Sequence, residues 1–191
     1  MSFNGCRVES SAYFAGATFH DKDSPVDFTA TYFQKTLECN EATFKGPVQL
    51  NSLECNGSGF FADARFEGTE GADFTYASFG KYLNCNRAIF CGPVSFTLLK
   101  CGGGFFDEAK FESDKEISFV QASFEANFQC TEATFKGLTS FTSMKCGSSG
   151  FFAKTRFEGE VNFSYTSFAV NLDCGQALFK KSSNFSRLEC I

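Results

Sequence analysis

Large apolar residues recur along this chain at a step that belongs to neither a helix nor a simple strand. In one stretch the inward candidates are Phe61, Phe66, Phe74, Phe79, Cys85, Phe90, Phe96 and Cys101, separated by 5, 8, 5, 6, 5, 6 and 5 residues. A helix would repeat about every 3.6 residues and a half-buried strand every second residue. A small residue often stands two places before the large one, as with Ala64 before Phe66, Ala77 before Phe79 and Ala88 before Phe90.

A longer period lies over the short one. GSGFFADARF begins at Gly57, GGGFFDEAKF at Gly102, SSGFFAKTRF at Ser148 and SSAYFAGATF at Ser10, so four copies of about 45 residues run from about residue 10 to the end. Such a period predicts a solenoid. A coiled coil would need heptads and a leucine-rich repeat its Asn and Leu ladder, and neither is present.

The five-residue beat with a small residue before a central Phe or Leu resembles the pentapeptide-repeat family. The resemblance runs over roughly residues 3 to 191 and rests on more than thirty short units. It implies an all-β fold, a right-handed quadrilateral parallel β-helix of about eight coils, with residues 1–191 as a single domain.

Assigning successive central residues to four faces yields ordered columns. Face 2 reads Phe19, Phe44, Phe66, Phe90, Phe111, Phe135, Phe157, Phe179, and face 3 reads Phe28, Leu50, Phe74, Phe96, Phe119, Phe141, Phe163, Phe185. Faces 1 and 4 alternate Phe with Cys. Face 1 is Phe14, Cys39, Phe61, Cys85, Phe106, Cys130, Phe152, Cys174, and face 4 is Phe33, Cys55, Phe79, Cys101, Phe124, Cys146, Phe168, Cys190. Wherever Cys is central, the residue two places before it is large: Leu37, Leu53, Leu83, Leu99, Phe128, Met144, Leu172 and Leu188. A close-packed interior that fixes the volume of each corner would select that exchange.

Composition agrees with a repeated slot: 28 Phe, no Trp, 17 Gly, 3 Pro and 10 Cys in 191 residues. The net charge of −5 does not suit a strongly basic nucleic-acid binder, and direct nucleic-acid binding is not expected. No stretch approaches the roughly 18 apolar residues of a membrane span and no leader-like segment opens the chain, so a soluble cytoplasmic protein without membrane contact is the expectation.

Eight of the ten cysteines fall on core columns. As a zinc or redox array they are poorly placed, because successive Cys of one face lie two coils, roughly 10 Å, apart, beyond disulfide reach. A bridge between two Cys of one coil stays open. Cys6 is not assigned to a column, and Cys91, which follows Phe90, is expected to be exposed and oxidisable. His20 lies in a polar turn with no nucleophile beside it, and no phosphate loop, serine-nucleophile or zinc-protease motif occurs. Gly102, Gly103 and Gly104 share the corner of Gly57 and Gly59, which explains them as corner geometry. No catalytic residue, metal site or cofactor is expected, and the chain does not read as an enzyme.

Two surface features carry the functional expectations. Tyr13, Phe60, Phe105 and Phe151 each precede a face-1 Phe and should point outward as a contact stripe or as a shield over the glycine-rich corner. The turns between faces 2 and 3 carry Glu67, Glu70, Glu112, Asp114, Glu116, Glu158 and Glu160 along one edge. The family resemblance implies one reading of such an acidic rod, a DNA-mimicking binder of gyrase or topoisomerase. Against it, the residues after the face-2 column alternate acid and base in Glu112, Lys136, Glu158 and Lys180, as a salt-bridge ladder would. The favoured expectation is a non-catalytic structural or protein-interaction module with an unidentified protein partner, open to end-to-end self-association or to membership of a longer chain.

Overall fold

The computed structural model describes residues 1–191 as a parallel β-solenoid of about eight coils, with 31 short strands and no helix. Most strands are two residues long, because a five-residue side leaves room for little more before the next corner. Every strand pairing is parallel, and successive coils are offset by about 22 residues, as in Phe44 opposite Phe66 and Phe135 opposite Phe157.

Faces 2 and 3 are each an eight-stranded sheet. Faces 1 and 4 fuse into one 15-stranded sheet, because Ser78–Asn84 and Lys100–Phe105 run unbroken across the corner between them. The cause is a length difference. Phe79 to Cys85 spans six residues and Cys101 to Phe106 spans five, so the register shifts between Phe79 and Tyr82. Six is the span in the other coils, so the side from Cys101 to Phe106 is one residue short and the unmatched residue opposite it forms a bulge.

Corners alternate in kind around the coil. After faces 1 and 3 the chain makes a tight turn in which an N–H donates three residues back, as Ala64 does to the Phe61 carbonyl at 3.1 Å and Ala77 to Phe74 at 3.0 Å. The residue before that donor is left-handed, with φ of 59° at Asp63, 59° at Tyr76 and 58° at Leu98. These φ signs and bonds are those of a type II turn, for which glycine is the usual choice. Each non-glycine residue costs about 1–2 kcal/mol in that conformation. The stacking offsets it: Tyr76 N–H donates to Thr97 O at 3.0 Å and Leu98 N–H to Val120 O at 2.9 Å on the following coil.

Forty-five buried apolar residues form one continuous core. On face 2 the rings of Phe44, Phe66, Phe90, Phe111 and Phe135 stack with centroids 4.6–5.0 Å apart and near-parallel planes. Face 3 stacks in the same way through Phe74, Phe96, Phe119 and Phe141, at 4.7–5.0 Å. The coil spacing of about 4.8 Å therefore sets the rings at stacking distance. Rings on face 1 meet face 3 edge-on, as Phe61 does Phe74 at 5.7 Å and 82°.

The Phe/Cys alternation is resolved atom by atom. Where Cys130 occupies face 1, the ring of Phe128 lies 5.6 Å from both Phe106 and Phe152 and fills the gap in the column. Conversely, a Cβ added at Gly59, Gly104 or Gly150 would enter the ring of Phe79, Phe124 or Phe168, so the small residue clears space for a face-4 ring. Buried hydroxyls are satisfied along the same interior: Thr155 donates to Cys130 O and Thr166 to Phe141 O, both at 2.6 Å.

The unassigned N-terminal segment is part of the solenoid. Phe3 stacks on Phe28 at 4.9 Å, and Arg7–Val8 pairs with Tyr32–Phe33, so Phe3 and Val8 begin faces 3 and 4. Cys6 lies on the turn between them and is exposed.

Candidate interaction surface

Strand register places the outward residue of each face-1 strand in a single column. Tyr13, Phe60, Phe105 and Phe151 occupy every second coil, and Glu38, Asn84, Gln129 and Asp173 occupy the coils between them. The intervening four escaped the stripe reading. They were legible nonetheless, because each directly precedes a face-1 Cys as each aromatic directly precedes a face-1 Phe.

The aromatics are not equally accessible. Tyr13 is 73% exposed, whereas Phe60, Phe105 and Phe151 are half-buried, with Phe105 edge-on to the exposed Tyr82 at 5.6 Å. The three Phe thus keep part of each ring exposed while the rest is covered. Beside three of the four aromatics the next outward residue is Ala15, Ala62 or Ala153, which leaves a shallow floor next to each ring.

Neither outward column of face 1 contains Lys or Arg, while Glu38, Asp107 and Asp173 supply negative charge. On the adjoining corner Arg87 is held by Asp63 at 2.7 Å and Lys154 by Glu132 at 2.9 Å. The Arg87 hydrogen bond and charge draw the Asp63 carboxyl below its usual range. Glu41 and Glu108 stand in that same corner column outside these pairs.

The acidic residues proposed for the edge between faces 2 and 3 divide into two sets. Glu67, Glu112 and Glu158 lie on face 2 itself and are ion-paired: Glu67 with Arg65, Glu112 with Lys136, and Glu158 with Lys180 at 2.9 Å. The Lys180 hydrogen bond lowers the Glu158 carboxyl pKa. The cross-coil ladder expected from the sequence is present at these last two pairs. Glu70, Asp114, Glu116 and Glu160 are exposed on the turns. Glu70 and Glu116 border an open trough of about 580 Å³ between Pro47, Pro93 and Asp73.

The cysteines follow the column scheme. Cys39, Cys55, Cys85, Cys101, Cys130 and Cys146 are buried free thiols, and burial drives the pKa of Cys39, Cys85, Cys101 and Cys130 far above that of a solvated thiol. Cys174, on the last coil, is half-buried and pushed up to about 11 by burial. Cys190, expected in the core, is exposed, its strand pairing on one side only, with Ser167–Phe168. Cys91 is exposed on face 2 as expected, flanked by Glu67 and Glu112. His20 is exposed on its turn. No group of three or more His, Cys, Asp or Glu converges in an arrangement that could hold a metal ion.

No family model, no curated protein and no solved structure matches the chain.

Proposed function

We propose that the chain is a non-catalytic protein-interaction module of the pentapeptide-repeat kind, working through the outer faces of a rigid rod. The carrying observation is the face-1 column, in which aromatic and hydrogen-bonding residues alternate coil by coil on a floor without cations. These side chains project outward from the Phe and Cys interior, and each of the three Phe keeps part of its ring exposed. Aromatic surface interleaved with polar groups is the composition that enriches protein interfaces. The pairing of Glu112 and Glu158 with lysines argues against a phosphate-mimicking surface, which would need its carboxylates unneutralised.

The test uses the purified chain carrying a photo-crosslinker at Gln129, on face 1, or at Thr134, on face 2. Proteins captured from its source cells are then purified and titrated against the unlabelled chain. Saturable binding by a protein captured from face 1 supports the reading. If no captured protein binds saturably, the reading fails.

A further inference from the structure

We infer that face 1 docks a proline-rich, Lys- or Arg-bearing segment of a partner protein, lying along the rod axis in the polyproline II conformation. The inference rests on the interaction-module reading and names the chemistry of its partner.

The first argument is periodicity. Aromatics on every second coil recur every ~9.4–9.8 Å, twice the spacing of paired strands. A polyproline II chain has three residues per turn and rises about 3.1 Å per residue, so it presents the same face every ~9.3 Å. Across the three intervals from Tyr13 to Phe151 the mismatch accumulates to about 1 Å, within the reach of side-chain adjustment. Other backbones fit less well. A β-strand returns a side chain to the same face every ~6.6–6.8 Å and an α-helix every ~5.4 Å, and neither keeps step with a two-coil repeat.

The second argument is surface chemistry. Proline rings pack on aromatic side chains, and a polyproline II segment loses little conformational entropy on docking because it is already extended. Its backbone carbonyls have no internal partners and seek donors. Asn84 spends its Oδ1 on the Asn86 N–H at 3.0 Å, which leaves its amide N–H groups to donate between the Phe60 and Phe105 ranks. Gln129 holds the equivalent place between Phe105 and Phe151.

The third argument is charge. With no cation in the outward columns and with Glu38, Asp107 and Asp173 along them, face 1 repels anionic partners and favours a ligand that carries basic residues. Ring faces beside those carboxylates add a cation–π component.

The experiment titrates the full chain into a fluorescein-labelled peptide of five Pro-Pro-Lys triplets and follows anisotropy. Controls are a peptide of the same composition with scrambled order and one of Pro-Pro-Asp triplets. Binding by the Lys triplets is expected, weakened at least tenfold by scrambling and abolished by Asp. The double variant F105S/F151S should lose at least tenfold in affinity while keeping its far-UV circular dichroism. Should that variant unfold, backbone amide shifts of the unmodified chain decide the matter, since the peptide should perturb residues around Asn84, Phe105 and Gln129. The inference is overturned by no binding at millimolar peptide, by equal binding of the scrambled peptide, or by shifts confined to another face. Retention on insoluble β-1,4-glucan without peptide binding would also overturn it, assigning the face to a polysaccharide. A captured protein that binds through another face would leave the interaction-module reading standing while this inference falls.

Discussion

The exchange of volume at the corner between faces 4 and 1 can be tested with a double-mutant cycle at Gly104 and Phe124. A Cβ at residue 104 would sit 2.9 Å from Cδ1 of Phe124 and 3.2 Å from Cδ2 of Phe128, closer than a packed interior accepts. Overpacking of this kind costs about 1–3 kcal/mol, partly offset by the ~0.4–1 kcal/mol that Gly→Ala gains by restricting the unfolded chain. Gly104→Ala should therefore lose about 1–2 kcal/mol. Phe124→Leu removes the ring edge that fills this space and should cost about 1–2 kcal/mol, less than the ~3–5 of truncation to Ala. Combined, the two changes relieve each other, and the double variant should be more stable than their sum by at least ~1 kcal/mol. Gly103→Ala is the control, because its nearest neighbours would lie at 3.4 Å and its effect should be neutral or slightly stabilising. Urea unfolding followed by circular dichroism measures all four variants. If Gly104→Ala is no worse than Gly103→Ala, or if the cycle is additive, the corner does not conserve volume in the way described.

Further outcomes follow from the thiols, the buried hydroxyls and the surface ion pairs. Burial raises the pKa of Cys39, Cys85, Cys101 and Cys130, so the unfolded chain ionises these thiols first, and stability that is intact below about pH 8.5 should fall as pH rises beyond it. One pH unit above that point each thiol contributes a loss of about 1.4 kcal/mol, or about 6 kcal/mol together. Urea midpoints that stay level from pH 8 to pH 9.5 would refute this, and the double variant C85A/C130A should show a smaller decline than the unmodified chain, with Cys39, Cys101 and the other raised thiols carrying the remainder. Thr155→Val removes the 2.6 Å bond to Cys130 O, which keeps the Ala133 N–H at 3.1 Å, so a loss of about 1 kcal/mol is expected from thermal or urea unfolding. Lys180→Gln should leave the unfolding midpoint unchanged, since the pair with Glu158 is solvated and Arg156 remains 3.8 Å from the same carboxylate.

Much of the fold was legible because the core has so few residue types. Face 2 carries a single amino acid, so its column could be read directly, and the stacked rings from Phe44 to Phe135 realise it. The large residue two places before each Cys likewise anticipated the role of Phe128, which substitutes spatially for a missing face-1 ring. The alternation of corner types was not legible. Tyr76, Leu98 and Tyr165 carry no local signal for positive φ, which the bonds to neighbouring coils impose. The fusion of faces 1 and 4 was hidden for a similar reason, since one missing residue between Cys101 and Phe106 matters only once two coils are laid side by side. At the surface the aromatic stripe was legible from its shared residue type, whereas its polar partners Glu38, Asn84, Gln129 and Asp173 share only their place before each face-1 Cys. The sequence placed Glu67, Glu112 and Glu158 along an acidic edge and also anticipated the ladder that pairs Glu112 with Lys136 and Glu158 with Lys180, but not the pairing of Glu67 with Arg65 on its own strand.

The central claim is a solenoid whose interior alternates all-Phe coils with Phe/Cys coils, and thiol accessibility measures it most directly. The native chain would be pulsed with iodoacetamide at pH 8, and each of its 10 cysteines scored by mass spectrometry against a urea-unfolded control. Cys6, Cys91 and Cys190 should label in the native state and Cys174 more slowly, while Cys39, Cys55, Cys85, Cys101, Cys130 and Cys146 should label only on unfolding. Labelling of Cys85 or Cys101 at the rate of Cys91 in the folded chain would contradict the column scheme.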